Sequence, residues 1–353
     1  LGVVGESGCG KSVTMMSLIK LLPPAAQITN GSVVLDGVEL TTLSRRELSA
    51  VRGSKVGMIF QDPMTSLNPF LKIGLQLAEG LVYHKGMSMD DALKRSAAYL
   101  DMVGISNSAH RLNEYPHQLS GGMRQRVMIA MALLSEPELV IADEPTTALD
   151  VTVQADILDL LRSLKDKLNT GILLITHNMG VVADMADNVA VMFKGNIVER
   201  GPVDEVLINP KHPYTQKLLA AVPHLGDGHG QFGVAPKEVA AGAETALSVE
   251  NLVVEYKRQG KKPFRAVDDV SFDVKRGEIV GIAGLMGAGR TELAMSLFGQ
   301  AYGRKTAGKL FLRGKEVDLK SVDDAIEAGL AYATEDRKRY GLNLIDDIRR
   351  HIS

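Results

Sequence analysis

The sequence predicts an α/β protein with a mostly parallel sheet, in which one domain type begins twice. Short apolar runs, GMIFQ, LVIAD and GILLIT, alternate with helical periods over Met89–Val103 and Met123–Leu134, a pattern typical of helices covering a parallel sheet. A glycine-rich loop, GESGCGKS, joins the first apolar run to a helical run. A related loop, GLMGAGRT, follows much later, so the chain contains an internal repeat.

Composition argues against some classes of function. The 353 residues suggest two domains, and 40 basic against 42 acidic residues give a formal charge of −2. This balance, without a basic tract, argues against a nucleic-acid partner. No apolar run approaches the roughly 20 residues that cross a bilayer, so any membrane role is expected to come through partners. The single cysteine, Cys9, allows no internal disulfide and is interpreted as a small filler residue of the loop.

The first glycine-rich loop fits the pattern G-x-x-x-x-G-K-[ST]. Its glycines allow backbone N–H groups to close around phosphates, Lys11 is expected to reach the β- and γ-phosphates, and the Ser12 hydroxyl is expected to bind Mg²⁺. The sequence therefore predicts a nucleotide site. Its predicted contacts are Gly5, Ser7, Gly8, Cys9, Gly10, Lys11, Ser12 and Val13.

Two acidic residues follow the apolar run LVIA. Asp143 is expected to hold the metal and Glu144 to polarise an attacking water. Neighbouring strand residues point to opposite sides, which would divide these tasks. The alternative is an exposed carboxylate pair at a strand end.

The segment LSGG places Ser120, Gly121 and Gly122 directly before a helical run. A helix N-terminus with small residues can approach phosphate. Ser120 could equally be an ordinary helix cap, and the two interpretations are compatible.

With these motifs in order, residues Gly2 to Val222 resemble the nucleotide-binding domain of ATP-binding cassette (ABC) transporters. The resemblance implies ATP and Mg²⁺ as ligands and assigns three further residues. Gln61 would contact metal or water and couple to the membrane domain, Asp150 would lie in the D-loop, and His177 would sense the γ-phosphate. Taken alone, Gln61 could be solvent-facing and His177 a structural histidine.

Three segments indicate a subfamily. QDPMTSLNP from Gln61, YPHQLSGGMRQR from Tyr115 and HPYTQKLLAAVP from His212 resemble dipeptide and oligopeptide importer ATPases. The resemblance implies a peripheral subunit at the cytoplasmic face of the inner membrane. Its partners would be a second ABC ATPase domain, integral membrane permease subunits and, indirectly, an extracellular solute-binding protein. The loop 63–69 and the helix opened by Ser88 are expected to face the membrane partner.

The second copy departs from the first. GIAGLMGAGRTELAMSLF aligns with GVVGESGCGKSVTMMSLI, but Arg290 replaces the loop lysine and Glu335 stands where the first copy has Gln61. A planar guanidinium need not fit the lysine pocket. Tyr256 is a candidate for stacking on adenine, with a strand aromatic as the alternative. The remaining predicted contacts are Gly284, Gly287, Gly289, Arg290 and Thr291.

The predicted organisation is a first ABC domain over 1–224, a Gly/Ala-rich linker over 225–246 and a partial second domain over 247–353. GLMGAGRTEL and TEDRKRYGL resemble the second half of sugar-importer ABC ATPases. Both ends read as truncated, so the chain is expected to be a fragment, a fusion or a recombined gene product.

The expected function is that of an ATP-hydrolysing, energy-coupling subunit of a peptide importer. Three alternatives remain open: a sugar-importer ATPase, a nucleotide-binding fusion with little turnover, and a soluble ABC ATPase acting on DNA or ribosomes. In the ABC arrangement each ATP lies between the loop of one domain and the LSGG segment of another, so first copies from two chains are expected to pair.

Overall fold

The computed structural model describes residues 1–62, 66–147, 151–222, 243–258, 261–285, 287–299, 304–334, 341 and 349. The chain forms two compact units, Leu1–Asp227 and Gly228–Ser353, and each is presented by itself. Within the described residues, no helix is long and apolar enough to cross a membrane.

The first unit is built on a six-stranded sheet of order β4-β5-β6-β1-β7-β8. All neighbours pair in parallel except β7 and β8, so the predicted mostly parallel sheet is confirmed. The strands of this unit are β1 (Gly2–Val4), β2 (Val34–Leu35), β3 (Val38–Glu39), β4 (Val56–Ile59), β5 (Leu139–Asp143), β6 (Gly171–Ile175), β7 (Asn188–Phe193) and β8 (Asn196–Pro202).

Strand β1 occupies the interior of this sheet. Gly2 pairs with Leu174 of β6 on one side and Val189 of β7 on the other. Val4 is fully buried. The loop that follows β1 therefore starts from the carboxyl edge of a parallel sheet, where ligands of open α/β sheets bind.

The helices of the first unit are α1 (Lys11–Leu18), α2 (Arg45–Ser54), α3 (Ile73–Lys85), α4 (Met89–Met102), α5 (Ser108–Arg111), α6 (Gly121–Leu133), α7 (Val151–Leu168), α8 (Met179–Met185), α9 (Val203–Ile208) and α10 (Pro213–Ala220). Short 3₁₀ turns cover Leu40–Thr42 and Pro116–Gln118. The helix predicted after Ser88 is confirmed, because the Ser88 side chain accepts the backbone N–H of Asp91.

A helical layer packs beside the sheet. Helices α3, α4 and α6 share one apolar core, in which Leu77, Leu100 and Ile129 are at most 1% exposed. Phe70, which precedes α3, is 86% exposed. Residues 63–65 of the loop expected to contact a membrane partner lie outside the described residues.

The second unit is an antiparallel sheet of order β10-β9-β11-β12. Its elements are β9 (Thr245–Arg258), β10 (Lys261–Lys275), α11 (Arg290–Leu297), β11 (Arg304–Leu312), β12 (Lys315–Val317) and α12 (Val322–Glu327). Because β9 begins at Thr245, the last two residues expected in the linker lie in a strand instead. The linker's residues 225–242 are outside the described part of the chain.

Both units contain the same hairpin. Leu35 pairs with Val38 and Leu312 with Lys315, and the turns between them have positive φ at Asp36 (48°) and Gly37 (74°), and at Arg313 (50°) and Gly314 (74°). Two consecutive positive φ values are characteristic of type I′ hairpin turns. The internal repeat therefore extends to backbone conformation.

The copies differ before their glycine-rich loops. Residues 281–283, which align with β1, form no strand, and Ile282 is 48% exposed. In the first unit β1 is held between β6 and β7, which come from sequence far downstream. Within the described residues of the second unit, no strand pairs with residues 281–283.

Gly57 allows the backbone of β4 to approach the backbone of α6 closely. A Cβ at this position would lie 2.2 Å from the backbone oxygen of Ala132, so the backbones cannot keep this approach with a side chain present. We expect Gly57→Ala to lower the free energy of unfolding of the first unit by about 1–3 kcal/mol, as overpacking does. Urea titration followed by circular dichroism measures this change.

The matched control is Gly80→Ala in α3, where an added Cβ meets no atom within 4 Å. Because alanine favours the helix interior over glycine, this variant should be stabilised by about 0.5–1 kcal/mol. Equal effects of the two substitutions would contradict the packing argument.

Candidate functional site

The glycine-rich loop is shaped by close backbone approach. Gly5 has φ of 154°, and a Cβ there would lie 2.3 Å from the backbone oxygen of Met192 on β7. Gly10 caps α1 in the left-handed conformation, with φ of 102°. Cys9 is buried within the loop. Glycine is therefore required where the loop lies against β7 and where it turns into α1.

Lys11, the first residue of α1, is only 6% exposed. Its Nζ donates hydrogen bonds to the backbone oxygens of Gly5 at 2.7 Å and Glu6 at 2.9 Å. The ammonium group is thus held inside the loop by carbonyl groups. Of the other predicted loop contacts, Ser7 and Val13 are exposed.

Ser12 and Asp143 lie together although they come from different elements. The Ser12 Oγ donates to Asp143 Oδ1 at 3.2 Å. Asp143 ends β5 and is 5% exposed. Burial raises the pKa of Asp143, and the nearby Glu144 charge adds to this, against the lowering effects of the Ser12 hydrogen bond and of Lys11. A hydroxyl and a carboxylate side by side are oxygen ligands suited to Mg²⁺.

Glu144 is the meeting point of the predicted catalytic residues. Its Oε2 accepts hydrogen bonds from Gln61 Nε2 at 3.1 Å and Thr147 Oγ1 at 2.9 Å. Its Oε1 lies 3.1 Å from His177 Nδ1. Glu144, Gln61 and His177 are thus brought together. The Glu144 side chain is 16% exposed and that of His177 60%, so the group is open to solvent on one side.

The backbone at Glu144 explains how its carboxylate separates from that of Asp143. Strand β5 ends at Asp143, and Glu144 has φ of 48°. The predicted strand does end at Asp143. Because Glu144 lies in the turn that follows, the expectation that strand alternation separates the two carboxylates is wrong. Its N–H donates to the backbone oxygen of Ile175 at 2.9 Å, which fixes the turn. A non-glycine residue in this region is strained, and such strain is concentrated at functional sites.

Ser120 caps α6, accepting the backbone N–H of Met123 at 3.3 Å. Gly121 and Gly122 form the first turn of the same helix. Within the described residues, no hydrogen bond joins these three residues to the glycine-rich loop. The capping interpretation is confirmed, and a role toward phosphate stays a prediction.

Two contacts at the site were not predicted from the sequence. Thr147 donates to Glu144, and only its place in EPTT could have suggested it. Gln125, 2% exposed on α6, donates to the backbone oxygen of Pro145. This hydrogen bond ties the helix that Ser120 begins to the turn after Glu144. A buried amide on an apolar helix face is a signal for such a link, because buried polar groups require partners.

Asp150 of the first copy and Glu335 of the second lie outside the described residues.

The second glycine-rich loop has a similar backbone but a different environment. Gly287 and Gly289 have φ of 79° and 88°, close to 81° and 102° at Gly8 and Gly10. Arg290 begins α11 as Lys11 begins α1, but Arg290 is exposed. Gly284 precedes this loop and Thr291 follows Arg290 in the helix. Tyr256 lies in β9 opposite Phe264 of β10.

Comparison with known families gives two matches. The family described as ABC transporter matches residues 1–147 and 267–343. The family described as oligopeptide/dipeptide transporter, C-terminal region, matches residues 198–247. The first match covers the start of both copies, and the second covers the segment that contains the HPYT sequence.

Two curated relatives extend these matches. The oligopeptide transport ATP-binding protein OppD of Bacillus subtilis (strain 168) is 54% identical over 226 residues, covering 64% of this chain and 63% of the relative. The glutathione import ATP-binding protein GsiA of Salmonella typhimurium is 42% identical over 350 residues, covering 91% of this chain and 56% of the relative. The chain thus spans about 60% of the length of these relatives.

The GsiA alignment covers too much of the chain to be confined to the first copy. The sugar-importer resemblance expected for the second copy is not shown by these matches.

Among solved structures, the ATP-binding cassette MJ0796, in a dimeric post-hydrolysis state bound to ADP and Pi, aligns with a TM-score of 0.51 at 29% identity. The alignment covers 57% of this chain and 84% of the MJ0796 chain. This match confirms the predicted fold class, an α/β ABC-type cassette with a glycine-rich phosphate loop. Together with the family match to both copies, it shows that the chain belongs to the ABC transporter family.

Proposed function

We propose that this chain is the ATP-hydrolysing, energy-coupling subunit of an ABC importer for dipeptides or oligopeptides. The observation that carries the proposal is the convergence of Gln61, Thr147 and His177 on the carboxylate of Glu144, beside the pair formed by Ser12 and Asp143. The similarity to OppD and the match to the oligopeptide/dipeptide C-terminal region support the substrate class.

ATP would bind with its phosphates against the loop Gly5–Ser12 and the N-terminus of α1. The backbone N–H groups of the loop and the helix dipole favour phosphate there, and the ammonium of Lys11 adds positive charge. Lys11 now donates to two carbonyl oxygens, so it can exchange these acceptors for phosphate oxygens. Such an exchange avoids leaving a buried charge without partners.

The residues present fit Mg²⁺. Ser12 and Asp143, joined at 3.2 Å, would hold the ion, and Gln61 was predicted as a further ligand. Bound Mg²⁺ would neutralise charge that develops on the β- and γ-phosphates. Gln61 donates through Nε2 to Glu144, which leaves its Oε1, the atom that would bind a metal, available for the predicted metal role.

Hydrolysis requires a base for the attacking water. The Glu144 carboxylate would accept a proton from water as the water oxygen bonds to the γ-phosphorus and the bond to ADP breaks. Thr147 and Gln61 donate to Glu144 Oε2, while Oε1 faces His177. These contacts orient the carboxylate, and His177 is placed to respond when the γ-phosphate leaves.

The partners follow from the family. A second ABC ATPase domain would supply Ser120–Gly122 to the ATP bound at Lys11, and the dimeric form of the MJ0796 cassette supports such pairing. Integral membrane permease subunits would receive the motion through the Gln61 region, with a solute-binding protein acting indirectly. The chain would then be peripheral, at the cytoplasmic face of the inner membrane.

Glu144→Gln should lower kcat for ATP hydrolysis on the order of 10²-fold or more, because the amide keeps the shape but cannot accept the proton. The KM for ATP should change little, since Lys11 and the loop are untouched. Steady-state phosphate release measures both constants. Glu205→Gln, an exposed carboxylate paired with Lys211, is the control and should retain full activity. Unchanged turnover in Glu144→Gln would refute the assignment.

Pairing of first copies predicts a concentration effect. Because Ser120 of one chain would complete the site at Lys11 of another, the rate should rise more steeply than linearly with protein concentration below the dimerisation constant. Phosphate release across a protein dilution series, beside sedimentation of the same samples, tests this. A rate strictly proportional to concentration, with monomers throughout, would show that a single chain is sufficient.

A further inference from the structure

Tyr214 connects the end of the first unit to the glycine-rich loop. Its hydroxyl oxygen accepts a hydrogen bond from the backbone N–H of Glu6 at 3.1 Å, across 208 positions of sequence. Tyr214 is 9% exposed and lies in α10, within the HPYT segment. No step of the proposed hydrolysis uses this residue.

The peptide group that joins Gly5 to Glu6 is central to the loop. Its N–H, that of Glu6, donates to Tyr214, and its carbonyl oxygen, that of Gly5, accepts from Lys11 Nζ at 2.7 Å. A peptide group is planar, so fixing its N–H also fixes the direction of its carbonyl. Tyr214 therefore acts on the same group that holds the Lys11 ammonium.

Tyr214 is itself firmly placed. Its ring stacks on Phe193, at the end of β7, with centroids 4.2 Å apart and planes inclined by 30°. Its backbone N–H donates to His212 Nδ1 at 3.1 Å, so His212 caps α10, and Pro213 occupies the first turn. Both the ring and the backbone of Tyr214 are thus held before its hydroxyl contacts the loop.

Glu199 of β8 fixes the start of α10 from the other side. Its carboxylate accepts the backbone N–H groups of Lys211 at 2.7 Å and His212 at 3.0 Å. Burial raises the pKa of Glu199, but hydrogen bonds including these two outweigh it and hold the pKa below its usual value. Helix α10 is therefore anchored to the same hairpin, β7–β8, that contacts the loop through the hydrogen bond from the Gly195 N–H to the Cys9 oxygen.

The protonation state of the Tyr214 hydroxyl also suits a position close to bound phosphates. Burial raises the pKa of Tyr214 above its ordinary value, against the lowering effect of the Glu6 hydrogen bond. The hydroxyl is therefore neutral at physiological pH and places no negative charge beside bound phosphates.

We propose that Tyr214 is a positioning residue for nucleotide binding. It fixes the peptide group between Gly5 and Glu6 so that the loop N–H groups and Lys11 are arranged before ATP arrives, and the HPYT segment thereby sets nucleotide affinity. This inference rests on the proposed ATP site. It assigns to the C-terminal region of the first unit a task at the loop, distinct from recognition of the transported solute.

Tyr214→Phe in the full chain removes the acceptor and keeps the ring. Because the partly buried Glu6 N–H loses its acceptor and the loop loses this constraint, we expect the Kd for ATP by calorimetry and the KM for ATP to rise about three- to tenfold. The kcat should stay within about twofold, since a binding contact equal in ground and transition states does not change it. Tyr83→Phe, at an exposed tyrosine, should leave all three constants unchanged.

Hydrogen exchange gives a readout that does not require nucleotide. Mass spectrometry of the peptide containing Gly5–Gly8 should show faster amide exchange at Glu6 in Tyr214→Phe than in wild type and in Tyr83→Phe. Thermal unfolding of the three proteins should coincide to within about 2 °C, because the stack on Phe193 remains.

The outcomes separate the two proposals. Faster Glu6 exchange with weaker ATP binding supports the positioning role. Unchanged exchange and unchanged ATP affinity would overturn it, as would global destabilisation or a fall in kcat at constant KM. If wild type bound no ATP, the proposed function would fall, whereas the exchange comparison would still decide whether Tyr214 orders the loop.

Discussion

The candidate site depends on the pairing of β1 with β6 and β7. Parallel strands end at the same edge of a sheet, so this pairing brings the loop after β1 next to the residues that follow β5 and β6. Lys11, Glu144 and His177 are far apart in sequence yet belong to this one edge. In the second copy the segment aligned with β1 pairs with none of the described strands.

Comparison of the two copies shows which features depend on neighbouring residues in the sequence and which depend on contacts with other parts of the chain. Their shared hairpin and the matching φ values at Gly8 and Gly287 show that a few residues determine a turn. The environment of the first helical residue is different: Lys11 is buried against carbonyl oxygens, whereas Arg290 is exposed. Burial of a cation requires neighbours that supply acceptors. For Lys11 these are the carbonyl oxygens of Gly5 and Glu6, in a loop that lies against β7 at Gly5.

The same distinction between local and long-range causes explains which features could be predicted from the sequence. Motif order was sufficient for the fold class, and the motifs and the family resemblance named Gln61, Glu144 and His177. That these three side chains meet was found only in the structure, where they follow the neighbouring strands β4, β5 and β6. The left-handed backbone at Glu144 was not predictable from DEP, since it depends on a hydrogen bond to Ile175. Thr147, Gln125 and Tyr214 were missed because their roles are contacts with distant backbone groups, which no spacing rule encodes.

The backbone of Glu144 has an evolutionary consequence. A residue with a Cβ at φ of 48° carries a conformational cost of about 1 kcal/mol that glycine would not. A lineage released from the need for turnover could therefore gain folding stability by replacing Glu144 with glycine, which carries no Cβ. Selection for activity at this position acts against selection for abundance.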